Sequence, residues 1–138
     1  MKIVVCGSMT FARQMVEAAE KLEKAGHTIV LPRHTKEYAE MKLAQERHEE
    51  SVKNKISEDL ICCYFNKIKD SDAVLIINCE RHGVKNYIGG NSLLEMGFAH
   101  VLGKKIFLLN SMPEMAYKDE IIATQPIILN GDFSKISG

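Results

Sequence analysis

The segment from Gly89 to Glu95 combines residue types that suit a ligand-binding turn. Its two glycines, Gly89 and Gly90, let a backbone approach a ligand closely, and Asn91 or Ser92 is expected to start a helix behind them. Polar groups, with the Glu95 carboxylate among them, would converge at that helix start. The spacing Ser92-x-x-Glu95 equally matches a capping box, in which the glutamate binds its own backbone.

A second turn with usable chemistry is Gly7-Ser8-Met9-Thr10, which follows an apolar run and precedes a helical pattern. Free backbone N–H groups and hydroxyls beside a helix N-terminus suit an anion or a sugar hydroxyl. The single glycine matches neither the dinucleotide fingerprint nor the P-loop, and Thr10 is equally well placed to be a helix N-cap. Arg13 in the first helical turn opposes the helix dipole, which favours a bound anion there, although a neighbouring carboxylate would serve as well.

Gly97 falls inside the helix that the pattern predicts through Leu102. A glycine at such a position costs roughly 1 kcal/mol relative to alanine. We therefore expect a neighbouring group to pack closely against the turn behind Glu95.

Short apolar runs alternate with helical patterns along the chain, which is typical of parallel strands covered by helices on both faces. The runs predict strands at residues 2–6, 28–31, 73–77, 106–109 and 127–129. Helical spacing of apolar residues predicts helices at 12–25, 56–68, 91–102 and 114–123. Pro126 directly before the last run indicates that this strand lies at an edge of the sheet.

These elements predict a single α/β domain over residues 1–138, a flavodoxin-like or Rossmann-like three-layer sandwich. We expect a five-stranded parallel sheet in the order 2-1-3-4-5 with right-handed crossovers. Open sheets of this kind bind ligands at the switch point, where the strand order reverses at the carboxyl edge. The functional site is therefore expected between residues 7–13 and 79–95.

Residues 35–53 form a charged segment that does not follow this alternation. They include nine Asp, Glu, Lys or Arg residues, and the sizeable apolar side chains near one stripe are Tyr38, Met41 and Val52. A weakly anchored helix with a solvated face explains the pattern. A lid over the switch point or a contact between subunits would produce the same composition.

Composition excludes several classes of protein. Eighteen Lys and Arg balance eighteen Asp and Glu, so the chain has no bulk field to attract a nucleic acid or an anionic membrane. Its longest apolar runs are far below the roughly 20 residues of a membrane helix, and its start lacks the core of a signal peptide. We therefore expect a cytoplasmic protein without nucleic-acid or membrane partners.

Cysteine and histidine residues give no sign of a disulfide framework or a metal centre. The four cysteines, which lack paired C-x-x-C spacing, are expected to be reduced and mostly buried thiols: Cys6, Cys62, Cys63 and Cys79. His34 with Glu37, and His48 with its neighbouring glutamates, lack the H-E-x-x-H spacing of a zinc site. We expect neither a metal nor another cofactor.

Three segments carry a resemblance to a known family: residues 3–8 (IVVCGS), residues 71–75 (SDAVL), and residues 91–99 (NSLLEMGFA) followed by 102–106 (LGKKI). Together they resemble the nucleoside 2-deoxyribosyltransferase superfamily, which includes the 2′-deoxynucleoside 5′-phosphate N-hydrolases. The resemblance covers the core from residue 2 to about 109, and its most specific part is the helix with Glu95 followed by Leu-Gly-Lys. The charged segment has no clear counterpart in that family.

The resemblance implies that Glu95 attacks the anomeric carbon of a (deoxy)ribosyl group and forms a glycosyl-enzyme. The first turn would hold the sugar or its 5′ group, Arg13 would favour a 5′-phosphate, and the second turn would orient ribose hydroxyls or Glu95 itself. The substrate-binding residues implied are Gly7, Ser8, Met9, Thr10, Arg13, Gly89, Gly90, Asn91 and Ser92. The partner would be a small nucleoside or nucleotide, bound by a homodimer or a larger homo-oligomer.

The chain also differs from the family pattern. Where the family has an aspartate that handles the base, this chain has Tyr64, with Asn66 and Asp59 nearby as further candidates. An acidic residue that precedes the family's catalytic glutamate is replaced by Gly89-Gly90. These differences leave the general acid unassigned and keep a second hypothesis open, a non-catalytic nucleotide-binding or sensing module with the same fold.

Overall fold

The computed structural model describes residues 1–41 and 59–136 and contains one parallel sheet in the order β2-β1-β3-β4-β5. Its strands are β1 (Lys2–Cys6), β2 (Thr28–Val30), β3 (Ala73–Ile76), β4 (Lys105–Leu108) and β5 (Ile127–Ile128). The described helices are α1 (Ala12–Lys24), α2 (Thr35–Met41), α3 (Leu60–Lys69), α4 (Gly90–Val101) and α5 (Lys118–Ala123), with 3₁₀ turns at Met9–Phe11 and Phe133–Lys135. The predicted α/β class, the parallel pairing and the strand order are confirmed.

Both faces of the sheet are covered, which explains the continuous apolar runs of its central strands. From β1, Ile3 and Val5 face the core that α1 and α2 cover, whereas Val4 and Cys6 face the core beneath α3, α4 and α5. All of these side chains are fully buried. Since alternate residues of a strand point to opposite faces, each core receives every second residue of β1 and β3.

Element ends differ from the predictions by a few residues, and α5 differs most. The predicted helix at 114–123 begins only at Lys118. The preceding Tyr117 is held elsewhere, because its hydroxyl donates a hydrogen bond to the Ile88 carbonyl oxygen. In this way the stretch before α5 is tied to the loop that leads into α4.

The described part of the charged segment is α2, which packs against α1. Thr35 is buried and donates from its hydroxyl to the Pro32 carbonyl oxygen at 2.6 Å, and Tyr38 packs on the core beneath α1. This end of the segment is therefore anchored to the domain. Residues 42–53, on which the lid and subunit-contact hypotheses depend, lie outside the described residues.

The four cysteines are free thiols, but the prediction that most are buried is wrong. Cys6 is buried in the sheet, Cys63 and Cys79 are half-buried, and Cys62 is exposed in the first turn of α3. Cys62 is exposed because α3 turns its apolar stripe toward the sheet and this residue lies off that stripe. Within the described ranges, no helix has the length and apolar character needed to cross a membrane.

Asn78 fixes the loops at the carboxyl edge of the sheet. It is fully buried just after β3, and its amide donates to the carbonyl oxygens of Asn110 (3.2 Å) and Ser111 (3.0 Å). In return its side-chain oxygen accepts from the Asn110 backbone N–H, and its backbone oxygen accepts from the Asn110 side chain, both at 2.8 Å. Ser111 extends the network to Asn130 after β5 at 3.1 Å. The loops after three neighbouring strands are thus joined by hydrogen bonds.

Two glycines have opposite surroundings. A Cβ on Gly7 would lie 3.2 Å from the Ile77 carbonyl oxygen and 3.4 Å from both the Ile77 Cβ and the Met15 sulfur, so a side chain here would require these neighbours to shift by a few tenths of an ångström. A Cβ on Gly97 would have no atom of the described residues within 4 Å. The expected close packing at Gly97 is therefore wrong, because this position of α4 faces away from its neighbours in the described chain.

We predict opposite effects of alanine at these two glycines. Gly97→Ala should stabilise the protein by up to about 1 kcal/mol, since alanine has the higher helix propensity and meets no steric obstacle. Gly7→Ala should destabilise it by roughly 1–3 kcal/mol, because the methyl group is forced against β3. Denaturant unfolding of both variants measures the two signs, and a destabilised Gly97→Ala protein would contradict the open position at residue 97.

Asn78→Ala should lower the free energy of unfolding by about 3 kcal/mol, because it removes the three hydrogen bonds that the side chain of this buried residue makes. Ser111→Ala, which removes one exposed hydrogen bond of the same network, is the matched control and should cost about 0.5 kcal/mol. Equilibrium denaturation provides the comparison. Equal losses in the two variants would show that Asn78 is not the centre of the network.

Candidate functional site

The candidate site centres on Glu95, whose helix begins earlier than predicted. Gly89 is the N-cap of α4, in extended conformation and without a side-chain capping bond, and Gly90 is the first helical residue. The Gly89 position lies against the Tyr87 ring, 3.3 Å from where a Cβ would stand, so a residue without a side chain fits there. Ser92 is consequently a buried residue of the first turn, and the capping-box alternative for Glu95 is wrong.

Glu95 lies close to Cys6, the last residue of β1. One of its carboxylate oxygens is buried. The carboxylate lies close to the Cys6 thiol and the Tyr64 hydroxyl, because the charge of Glu95 contributes to the raised pKa of both groups. Elements from three parts of the chain, β1, α3 and α4, therefore meet at one carboxylate.

The pKa values of both neighbours are raised. Burial, with smaller contributions from the charge and hydrogen bond of Glu95, raises the pKa of the Cys6 thiol well above its usual value. Burial, together with the charges of Cys6 and Glu95, raises the pKa of the Tyr64 hydroxyl in the same direction. Both groups are therefore protonated and uncharged at neutral pH.

Tyr64 is the base-handling candidate that the fold brings to Glu95. Its hydroxyl donates to the Val5 carbonyl oxygen at 2.5 Å, while the Phe65 ring meets the Phe98 ring edge-on at 5.3 Å and joins α3 to α4. The other two candidates lie elsewhere on α3. Asn66 is exposed, and Asp59 caps α3 by accepting from the Cys62 backbone N–H at 3.3 Å.

The Gly7–Thr10 turn leaves β1 immediately after Cys6. The Ser8 hydroxyl accepts from the Thr10 backbone N–H at 3.3 Å and thereby caps the 3₁₀ turn, so the alternative that Thr10 is the N-cap is wrong. Met9 is half-buried against the core beneath α1. Arg13 is exposed in the first turn of α1, which contains no acidic residue.

Arg81 contacts the Gly7–Thr10 turn and was not among the predicted site residues. Its guanidinium donates to the Ser8 hydroxyl at 2.5 Å and so joins the loops after β1 and β3. It is half-buried, and no carboxylate of the described residues lies within ion-pair distance of it. A half-buried cation whose partner is a neutral hydroxyl is well suited to receive an anion.

A tight turn holds Arg81 in place. Arg81 and Val84 pair through two backbone hydrogen bonds of 3.1 and 2.9 Å, and His82 and Gly83 between them have φ of 54° and 72°. Positive φ at both central residues is the pattern of a type I′ hairpin turn. Gly83 was the available signal in the sequence, but the usual asparagine or aspartate of such turns is replaced by His82.

The Gly7–Thr10 turn thus meets the loop after β3 through the bond between Arg81 and Ser8, and Glu95 lies close to Cys6, the residue before that turn. Such an arrangement can stabilise a cationic centre near Glu95 while it holds an anionic group near Arg81.

The histidines were also considered as metal ligands. His34 pairs with Glu37 at 3.1 Å, away from Ser8 and Arg81, and in the described parts of the chain no three His, Cys, Asp or Glu side chains are grouped to hold a metal ion. No protein-family model matches the chain, and no curated protein matches it significantly.

Proposed function

We propose that the protein cleaves or transfers at the N-glycosidic bond of a (deoxy)nucleoside or nucleoside 5′-monophosphate, with the Glu95 carboxylate as nucleophile. The proposal includes membership of the nucleoside 2-deoxyribosyltransferase superfamily, on the segments quoted above. The observation that carries it is the location of Glu95. Its carboxylate, with one oxygen buried, lies against Cys6, the residue that directly precedes the Gly7-Ser8 turn.

A carboxylate at this place suits a double displacement at the sugar. As a Glu95 oxygen bonds to C1′, the C1′–N bond breaks and the base leaves with the electron pair and takes up a proton. Water or a second base then attacks C1′, the bond to Glu95 breaks, and the carboxylate is released. The transition states resemble an oxocarbenium ion, which a nearby negative charge stabilises.

The Ser8–Arg81 pair supports a substrate with an anionic 5′ group. A guanidinium binds two phosphate oxygens at once, and the Ser8 hydroxyl can donate to a third. Arg13, exposed at the start of α1, adds positive charge to the same corner. We therefore favour the nucleoside 5′-monophosphate over the free nucleoside.

One observation favours the alternative, a non-catalytic nucleotide-binding or sensing module. The Tyr64 hydroxyl is bound to the Val5 carbonyl oxygen and its pKa is raised by burial, so it is not an acid of the strength expected for protonating a leaving base. In the catalytic proposal the base takes its proton from solvent instead. Binding of a nucleotide without any product would support the alternative.

The proposal extends to assembly as a homo-oligomer. The outer sides of α3 and α4 expose Ile61, Leu94 and Val101, the last with 82% of its surface accessible. Apolar side chains grouped on adjacent helices are typical of surfaces that pack against another subunit. A second copy on this side would leave the carboxyl edge of the sheet open to the substrate.

Glu95→Gln should reduce turnover of a nucleoside 5′-monophosphate by roughly a thousandfold or more, because the amide is not a nucleophile. Base release from a panel of nucleosides and their monophosphates, followed by chromatography, measures it. Glu20→Gln on the exposed side of α1 is the matched control and should retain full activity. Mass spectrometry of the acid-quenched wild type should find the sugar on a peptide that contains Glu95. Normal turnover by Glu95→Gln would exclude the nucleophile assignment.

Arg81→Ala should raise KM for the monophosphate by about 10- to 100-fold, the effect of losing a hydrogen bond to a charged group. KM for the corresponding free nucleoside should change little, because that substrate has no anion for the guanidinium. Lys85→Ala, an exposed cation of the same loop, is the matched control. An equal increase for both substrates would show that Arg81 serves the loop structure and not the phosphate.

A further inference from the structure

Two aromatic side chains of the loop after β3 contact each other. The His82 and Tyr87 rings meet edge-on, with their centroids 5.5 Å apart and their planes at 77°. Aromatic rings attract each other at such distances and angles. His82 follows Arg81 in the hairpin turn, and Tyr87 lies two residues before Gly89, the N-cap of α4. The pair of rings therefore lies between the Arg81 turn and the helix that carries Glu95.

Tyr87 is held through both its backbone and its ring. Its N–H donates to the Cys79 carbonyl oxygen at 2.9 Å, which closes the loop after β3 at its base. Its ring lies 3.3 Å from where a Cβ of Gly89 would stand. The residue between them, Ile88, is buried, and its carbonyl oxygen accepts from the Tyr117 hydroxyl. A shift of the Tyr87 ring would thus be transmitted to the start of α4.

The two positions that contact the Tyr87 ring lack the residues that local structure favours. A type I′ turn favours asparagine or aspartate where this chain has His82, at a φ of 54°. A helix N-cap favours a side chain that binds the free N–H groups, which Gly89 does not provide. Departures from local preference are expected at functional sites. Both departures here accompany a contact with the same ring.

We propose that His82 and Tyr87 couple the Arg81 turn to the start of α4, so that the position of an anion on Arg81 is transmitted to the helix of Glu95. This inference rests on the proposed function, in which Arg81 binds the 5′-phosphate and Glu95 is the nucleophile. His82 and Tyr87 are positioning residues in this proposal, because neither touches the reacting atoms.

The shape of the substrate explains why this coupling matters. The 5′-phosphate and C1′ belong to one sugar phosphate, so the sugar limits how far apart they lie. A phosphate held by Arg81 directs C1′ onto Glu95 only if the turn and the helix keep a matching separation. Binding energy from a part of the substrate that does not react then orients the part that does. The 5′-phosphate should therefore raise kcat as well as lower KM.

The kinetic test removes one ring and keeps the turn. His82→Asn introduces a residue that the turn prefers, so a purely structural role predicts no loss of activity. The coupling predicts that kcat for the nucleoside 5′-monophosphate falls by about 10- to 100-fold at unchanged KM, because C1′ is misplaced at Glu95. The kcat for the free nucleoside should stay the same. An equal fall for both substrates, or no fall for either, would overturn the inference.

Three further variants check that the effect passes through the rings. Tyr87→Leu should lower kcat for the monophosphate as His82→Asn does, and the double variant should lower it no further, because both act through one contact. Tyr87→Phe keeps the ring and should retain the wild-type kcat. His100→Asn makes the same substitution at an exposed histidine in the last turn of α4 and should have no effect. Additive losses in the double variant would contradict the coupling.

A test by NMR needs no turnover. Inorganic phosphate added to the isotope-labelled protein should shift the backbone amide signals of Ser8 and Arg81, beside the anion, and those of Gly89 and Gly90 at the start of α4. In His82→Asn the first two signals should still shift, whereas the two glycine signals should not. Glycine signals that shift equally in this variant would overturn the inference, because the phosphate would then act on α4 without the rings.

The outcomes distinguish a failure of this inference from a failure of the proposed function. If Glu95→Gln keeps full turnover, the proposed function has failed, and the NMR result alone decides whether the turn and the helix are coupled. If Glu95→Gln abolishes turnover while His82→Asn keeps the wild-type kcat for both substrates, the nucleophile stands and the coupling is refuted. If phosphate shifts the signals of neither Ser8 nor Arg81, the turn binds no anion and the coupling is refuted with it.

Discussion

The approach of β1 to α4 at the carboxyl edge of the sheet is the constraint on which the rest of the structure depends. A carboxylate oxygen of Glu95 is buried there, and a buried charge is costly unless hydrogen-bond donors surround it. Polar groups of two elements lie next to this carboxylate. Cys6 lies at the end of β1, and Tyr64 of α3 is held beside it by the hydrogen bond from its hydroxyl to the Val5 carbonyl oxygen. The helix that carries Glu95 is in turn held against α3 by the contact between Phe65 and Phe98.

On the side of Ser8 and Arg81, the polar groups are held by loops and not by strands or helices. Here the chain uses loops, and short hydrogen bonds make them rigid: Ser8 accepts from Arg81, and Asn78 joins the loops after β3 and β4. The hairpin turn at residues 81–84 lets Arg81 reach back toward β1. A formally neutral protein can in this way place a local positive charge at the carboxyl edge of its sheet.

Much of the fold follows from sequence, because buried parallel strands must be apolar on both faces and such runs are easily read. The strand order was predicted on that basis. The start of α4 was not, since propensity points to Asn91 or Ser92 as the N-cap, whereas the N-cap is Gly89, where a Cβ would lie 3.3 Å from the Tyr87 ring. Tertiary contacts of this kind override local preference and leave no periodic pattern.

Arg81 is another residue whose role could not be predicted from local sequence patterns. In the sequence it is one of eighteen basic residues. Its importance depends on the left-handed conformation of His82 and on the absence of a carboxylate partner within the described chain, and neither property is encoded at short range. The reverse holds for Gly97, where a local rule suggested close packing and the described structure has none. Local rules therefore locate the strands and turns of this fold, whereas the charges and donors of the site depend on which distant residues the sheet brings together.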